Sequence, residues 1–228
     1  MLVVFTTVLI LLILFGPQIW AGHIMKRYST PIEEIPGSGG ELAQHLLNRF
    51  EVNDTSVEET KPGNDHYDPQ TRTVSLSPDH FTGKSLTAIV IASHEVGHAL
   101  QHKMQYSPLF LRWKLALIAA AAEKIASLIL VTFPLVTILV RIPAVGILMF
   151  ISGITILILP VILHLITLPV EWDASFHRAL PILIEGEYIP DSAIPIARKI
   201  LLAAALTYVA ASLASLLNFY RWIAILRR

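Results

Sequence analysis

The chain has 228 residues, of which 54% are hydrophobic and 15% are charged, and its formal net charge is zero. Soluble domains carry about 25% charged residues, so this composition favours a protein that meets lipid, while zero net charge gives no bulk attraction to nucleic acid. The absence of cysteine excludes disulfides and thiolate zinc ligands, and it leaves His, Asp and Glu to hold any metal.

The chain begins with an uninterrupted apolar stretch over residues 2–15, and Trp20 ends the segment. A secretory signal peptide is the alternative, but no basic segment precedes the stretch and no clean small-residue cleavage site follows it. An uncleaved transmembrane helix over 1–22 is therefore predicted, in which residues 17–21 complete a span of about 20 residues.

Residues 23–114 are predicted to form a membrane-proximal catalytic region, because charged residues, Gly and Pro return there. A turn cluster precedes a short helix over 41–50. Alternation in 71–77 predicts a strand, which could either present an edge to an extended peptide or belong to a structural hairpin. Residues 85–103 have the apolar periodicity of a packed helix.

Beyond this region, three further apolar segments predict transmembrane helices. Two lie within 115–168, and the last lies in 199–228, which ends in a basic tail. The intervening residues 169–198 are amphipathic and charged, so they are assigned to the catalytic region. The predicted fold is mainly α: a bundle of about four transmembrane helices with a zincin-like, membrane-proximal catalytic region that contains a small β element.

The packed helix carries the pattern His94-Glu95-Val96-Gly97-His98. A spacing of four places His94 and His98 on one face, one turn apart, where both imidazoles can bind one zinc ion. Glu95 lies about 100° away, so it can act as general base on a water that zinc acidifies. Two ordinary histidines and a surface glutamate are the alternative, which the apolar flanks disfavour because burial of unpaired polar groups is costly.

The third ligand is not fixed by this pattern. One zincin class has a His six residues after His98, but Met104 stands there and excludes that class. His102 would point away from the metal. Pro169 is expected to start a helix with Glu171 in its first turn, where Glu171 is either the third ligand or a carboxylate favoured by the helix dipole.

Several segments, in this order, resemble the YugP-type neutral zinc metallopeptidases, a family of bacterial membrane proteins. The resemblance covers most of the chain and lies in 37–43, 65–69, 74–77, 85–89, 94–101, 169–175 and 203–210. It implies peptidase chemistry, one zinc ion and Glu171 as the third ligand. The chain departs from the family pattern at Ser93, at 176–177 and at Ser175, where related enzymes carry an acidic residue.

Other polar residues after the third-ligand candidate are assigned to supporting roles. Ser175 lies one turn after Glu171 and could hydrogen-bond a ligand as an outer contact, with Asp173 as the other candidate. His177 and Arg178 are predicted catalytic residues, either of which could donate to the tetrahedral oxyanion. The alternative for Arg178 is an ion pair with a carboxylate such as Asp173. Other possible donors are His66 and Tyr67.

The predicted function is a membrane-embedded, zinc-dependent endopeptidase of the gluzincin-like class, in which the two histidines are joined by a glutamate. Its expected substrates are membrane or membrane-proximal proteins or peptides, and its other partner is the lipid bilayer. A catalytically silent zincin-like scaffold is the alternative, which the intact Glu95 disfavours. Basic residues near the predicted span ends place the catalytic side in the cytoplasm of a bacterial cell.

Overall fold

A computed structural model describes residues 1–32, 35–140 and 143–207. The described chain is mainly helical with a small sheet, as predicted. In chain order its elements are α1 (Leu2–Arg27), α2 (Gly39–Arg49), β1 (Ser56–Glu59), β2 (His66–Asp68), β3 (Thr73–Leu76), α3 (Pro78–Phe81), α4 (Leu86–Lys103), α5 (Ser107–Val140), α6 (Pro143–Trp172), a π-helix (Asp173–Ala179), α7 (Leu180–Glu185), a 3-10 turn (Asp191–Ala193) and α8 (194–207).

Across the described ranges, no helix combines the length and the apolar character that a membrane crossing requires. Crossing a bilayer takes about 20 consecutive, mostly apolar residues. The predicted bundle of about four transmembrane helices is therefore wrong. Much of the predicted last helix and the basic tail fall in 208–228, outside the described residues.

Helix α4 is the centre of the core. Ser85 begins it as an N-cap, since its side chain accepts a hydrogen bond from the backbone N–H of Ala88. Every residue from Leu86 to Gln101 is buried. Helix α2 covers one side of α4, and the π-helix covers another. Each large aliphatic side chain buried here contributes about 1.5–3 kcal/mol, so this packing holds the helix rigidly.

Helix α2 begins with a capping box. The Ser38 side chain accepts a hydrogen bond from the backbone N–H of Glu41, and the Glu41 carboxylate accepts one from the backbone N–H of Ser38. Leu46 and Leu47 then face the core and are fully buried. The predicted helix over 41–50 is confirmed, with a start two residues earlier.

The sheet has the strand order β1-β3-β2. Strand β3 pairs in parallel with β1 and antiparallel with β2, and its residues Val74 and Leu76 are fully buried. The predicted strand in 71–77 is confirmed. The idea that it presents an edge to a peptide is wrong, because β3 has a partner on both sides.

Helix α6 continues through Pro169 to Trp172 and passes directly into the π-helix. The expectation that Pro169 starts a new helix is therefore wrong. Glu171 lies near the end of α6 instead of in a first turn, which removes the explanation of Glu171 as a carboxylate placed by a helix dipole. The wider π turn changes the angular spacing of the residues that follow.

Asp65, the residue before β2, ties the sheet to the turn after β3. Its Oδ1 accepts hydrogen bonds from the backbone N–H of Ser77 at 2.7 Å and from the Ser77 hydroxyl at 2.9 Å. Its Oδ2 lies 2.9 Å from Nδ1 of His80. Burial alone raises the pKa of Asp65, but His80 and these hydrogen bonds outweigh it and lower the pKa below the ordinary 3.8.

Replacing Asp65 with Asn is expected to lower the free energy of unfolding by about 1–3 kcal/mol at pH 7, the range for a buried hydrogen-bonded charge. Because the folded pKa is lowered, the carboxylate contributes fully above its unfolded pKa and loses that contribution as the pH falls through the folded value. Denaturant unfolding of the metal-free protein at pH 7 and near pH 3 checks this, with exposed Asp191→Asn as control. Equal stability of the two variants at pH 7 would contradict the account.

Candidate metal centre

Three buried side chains meet between α4 and the end of α6. His94, His98 and Glu171 each offer one ligand atom, and these atoms all lie within 4.8 Å of one another. Oε2 of Glu171 is 3.2 Å from Nε2 of His94 and 3.4 Å from Nε2 of His98. Two imidazole nitrogens and one carboxylate oxygen are a donor set that suits zinc, so the residues fit the metal that the sequence implied.

Backbone packing brings the two helical segments together at Gly97. A Cβ atom built at this position would lie 2.8 Å from the carbonyl oxygen of Ala174. Gly97 stands between the two histidines, and Ala174 stands just before Ser175. The absence of a side chain at Gly97 therefore lets the π-helix lie against the face of α4 that carries the site.

Replacing Gly97 with Ala is expected to lower the free energy of unfolding by about 1–3 kcal/mol, the usual cost of overpacking. The atom it would strike is backbone, so relief requires the π-helix to shift. Gly22→Ala is the matched control, because nothing lies within 4 Å of a Cβ at Gly22 in α1. Chemical denaturation compares them. A Gly97→Ala protein as stable as the Gly22→Ala protein would show that the close approach is not required.

Each candidate ligand also has a partner on its other polar atom. Ser175 Oγ lies 3.1 Å from Nδ1 of His94, and the Nη1 atom of Arg112 donates to Oε1 of Glu171 at 2.7 Å. Nδ1 of His98 is 2.9 Å from a side-chain oxygen of Gln101, on the same helix. These contacts leave the two Nε2 atoms and Oε2 directed at one another, as outer contacts of metal ligands commonly do.

The carboxylates of the site have opposite pKa shifts. Burial by itself raises the pKa of Glu171, but charge and hydrogen-bond interactions with His98 and His94 hold it well below its usual value. Burial raises the pKa of Glu95 to about 7, with His94 opposing this rise and the neighbouring Glu171 and Asp65 adding to it. Glu171 is thus an anion ready to bind a cation, whereas Glu95 can gain or lose a proton near neutral pH.

Glu95 faces a cavity of about 200 Å³ that also reaches His98. The sheet contributes one wall and α5 the other. The lining residues are Asp65, His66, Tyr67, Pro69, Glu95, His98, Leu109, Arg112, Trp113 and Ala116. A larger cavity of about 750 Å³ is lined by residues of α2, α4 and the segment after α7, but none of the three candidate ligands lines it. We therefore assign the smaller cavity to the site.

The predicted supporting residues lie at different distances from this cavity. Ser175 is fully buried beside His94, whereas His177 is exposed and lies 3.4 Å from Oδ1 of Asp173. Nε of Arg178 donates to Oδ2 of Asp173 at 2.7 Å. This contact is the ion pair that the sequence offered as the alternative to a catalytic role for Arg178. Neither His177 nor Arg178 lines the cavity, and their catalytic roles stay predictions.

Sequence reasoning missed two side chains that contact the site. Gln101 lies three residues after His98, so its helical spacing was a signal that could have identified it. Arg112 is 59 residues from Glu171 along the chain. Because that contact depends on how α5 packs, no local pattern pointed to it.

Comparisons with known proteins agree with this geometry. The profile of the family described as "Putative neutral zinc metallopeptidase" matches residues 3–227. The chain is 37% identical over 226 residues to "Putative membrane protease YugP" of Bacillus subtilis (strain 168), covering 99% of this chain and 96% of that protein. No solved structure shows significant similarity to this chain.

Proposed function

Because the chain belongs to the neutral zinc metallopeptidase family, we propose that it is an endopeptidase whose His94, His98 and Glu171 hold one zinc ion. The observation that carries this proposal is the convergence of their three ligand atoms within 4.8 Å, in a buried setting. Zinc held there would supply a Lewis acid that polarises the scissile carbonyl and acidifies water.

Glu95 is the proposed general base. It follows His94 directly, is 7% exposed and lines the cavity that also reaches His98. Its carboxylate takes a proton from the attacking water and passes it to the leaving nitrogen. A pKa of about 7 suits both transfers, since a base works best when its pKa lies near the operating pH.

A donor for the developing oxyanion is also required. Of the residues considered from the sequence, His66 and Tyr67 line the cavity. The Tyr67 hydroxyl is 2.7 Å from Nδ1 of His102, and Nδ1 of His66 donates to the carbonyl oxygen of Asn64 at 2.8 Å. We propose that one of these two residues is the donor, in preference to His177 and Arg178, which do not line the cavity.

The proposed substrates are proteins or peptides. The Bacillus subtilis relative is named a membrane protease, and on that basis we propose that this chain associates with a membrane and acts on membrane or membrane-proximal proteins. The predicted cytoplasmic orientation rested on basic residues at the ends of transmembrane helices. It loses that basis, because the described residues contain no helix that could span a membrane.

Hydrolysis in ¹⁸O-labelled water tests the proposed function. The purified full chain, incubated with an unfolded protein, should yield internal fragments whose new terminal carboxyl groups carry ¹⁸O. A zinc chelator should abolish these fragments. Mass spectrometry reads both results. Binding of the unfolded protein without fragments, in a preparation that contains zinc, would instead support the silent scaffold.

A further inference from the structure

Gln101 is a polar side chain beside the metal centre that makes three hydrogen-bond contacts. It is fully buried in α4, one turn after His98. One side-chain atom, Oε1, lies 2.9 Å from Nδ1 of His98. The other, Nε2, donates to the carbonyl oxygen of Val170 and to Oδ2 of Asp173, each at 2.8 Å.

These contacts determine which way the Gln101 amide points. Val170 O and the Asp173 carboxylate can only accept hydrogen bonds, so both require the NH₂ end of the amide. A flipped amide would place Oε1 between two acceptors. The oxygen therefore faces His98, and the proton between them belongs to Nδ1 of the imidazole. The lone pair of Nε2 is then left for the face where Oε2 of Glu171 lies 3.4 Å away.

Asp173 also accepts a hydrogen bond from Arg178, at the same oxygen that Gln101 contacts. Nε of Arg178 donates to Oδ2 of Asp173 at 2.7 Å. A continuous chain of hydrogen bonds thus runs from Arg178 through Asp173 and Gln101 to His98. In many metal sites a carboxylate contacts the ligand histidine directly; here an amide stands between the two.

We propose that Gln101 is a positioning residue, which fixes the tautomer and ring orientation of His98 and couples them to Asp173. The proposal rests on the proposed zinc site. It gives Asp173 and Arg178 a role through His98 instead of at the substrate. A purely structural role, in which Gln101 only ties α4 to Val170, is the competing explanation.

Exchanging the hydrogen-bond donor and acceptor between positions 101 and 173 distinguishes these two explanations. In Gln101→Glu two carboxylates face each other, whereas in Gln101→Glu/Asp173→Asn the new amide can donate to the new carboxylate. That carboxylate can still accept from Nδ1 of His98. The carboxylate of Glu at position 101 cannot donate a hydrogen bond to Val170 O, so the contact between Gln101 and Val170 is lost in both variants. Zinc affinity regained in the double variant therefore cannot come from that contact.

The experiment measures zinc affinity of the full chain by chelator competition, together with the visible spectrum of the cobalt-substituted protein. Variants are Gln101→Met, Gln101→Glu and the double variant, with Gln44→Met as control; Gln44 is exposed on α2 and bonds Asn48. Gln101→Met is expected to bind zinc about 10–100-fold more weakly and to alter the cobalt spectrum. The double variant is expected to bind at least about tenfold more tightly than Gln101→Glu.

Two results would overturn the proposal. One is a folded Gln101→Met protein with zinc affinity within about twofold of wild type, well short of the loss expected for an outer contact. The other is a double variant that binds zinc no more tightly than Gln101→Glu, which decides the matter if Gln101→Met does not fold. A wild-type protein that binds zinc but does not cleave the unfolded protein would contradict only the proposed peptidase activity. A wild-type protein that binds no zinc would contradict both the proposed function and the role of Gln101.

Discussion

Replacing Glu95 with Gln is expected to lower kcat for peptide hydrolysis by about 10²- to 10⁴-fold, the usual contribution of a general base, while one zinc ion per chain is retained. The amide has nearly the same size as the carboxylate, so the buried position stays filled. It cannot accept the proton of the attacking water at neutral pH. Initial rates at saturating peptide, together with metal analysis of the same preparation, measure both outcomes.

The control for this variant is Glu59→Gln, an exposed glutamate on β1. It makes the same chemical change away from the cavity and should leave kcat unaltered. A Glu95→Gln protein that keeps zinc and wild-type kcat would remove Glu95 from the mechanism. Loss of zinc in Glu95→Gln would instead mean that Glu95 supports the metal centre itself.

Replacing Glu171 with Ala is expected to weaken zinc binding by more than about 100-fold, the upper end for an outer contact, because it removes one of three ligands. His94 and His98 remain on α4, but two imidazoles alone leave the site one protein donor short of the usual catalytic set. Chelator competition measures the affinity. The matched control is Glu185→Ala, since Glu185 is exposed at the end of α7.

Wild-type zinc affinity in the Glu171→Ala protein would assign the third ligand elsewhere. The sequence offered one other explanation for Glu171, a carboxylate favoured by the dipole at a helix start. The structure removes it, since Glu171 does not lie in the first turn of a helix. Its contact with Arg112 is the second feature that this variant changes. Arg112→Gln therefore belongs in the same series, and it should weaken zinc binding less than Glu171→Ala does.

The local part of the site could be predicted because helical spacing alone determines it. His94 and His98 are one turn apart on any α-helix, and the apolar pattern of 85–103 identified that helix nearly to the residue. The short helix over 41–50 and the strand in 71–77 were likewise predicted from short stretches of sequence. These features depend on neighbours within a few residues.

The remainder depends on tertiary packing that local patterns do not contain. Pro169 normally marks a helix start, yet α6 runs through it, and the π-helix then alters the angular positions of Asp173 and Ser175. Both residues therefore reach the α4 histidines, Ser175 directly and Asp173 through Gln101. Strand order was equally hidden, because β1 pairs directly with β3 although β2 lies between them in the sequence.

The prediction of transmembrane helices was drawn from continuous apolar segments and from a hydrophobic fraction of 54%. Across the described ranges, however, no helix meets the combined requirement of length and apolar character that a membrane crossing sets. Membrane association is therefore proposed from the relative's name and not from the fold.

Titration of zinc into the metal-free full chain, with peptide cleavage measured at each addition, tests the central claim most directly. A single buried site formed by His94, His98 and Glu171 predicts that cleavage rises in proportion to added zinc and stops rising at one equivalent per chain. A cleavage rate that stays at zero at every zinc concentration, or that is already maximal before zinc is added, would contradict the account.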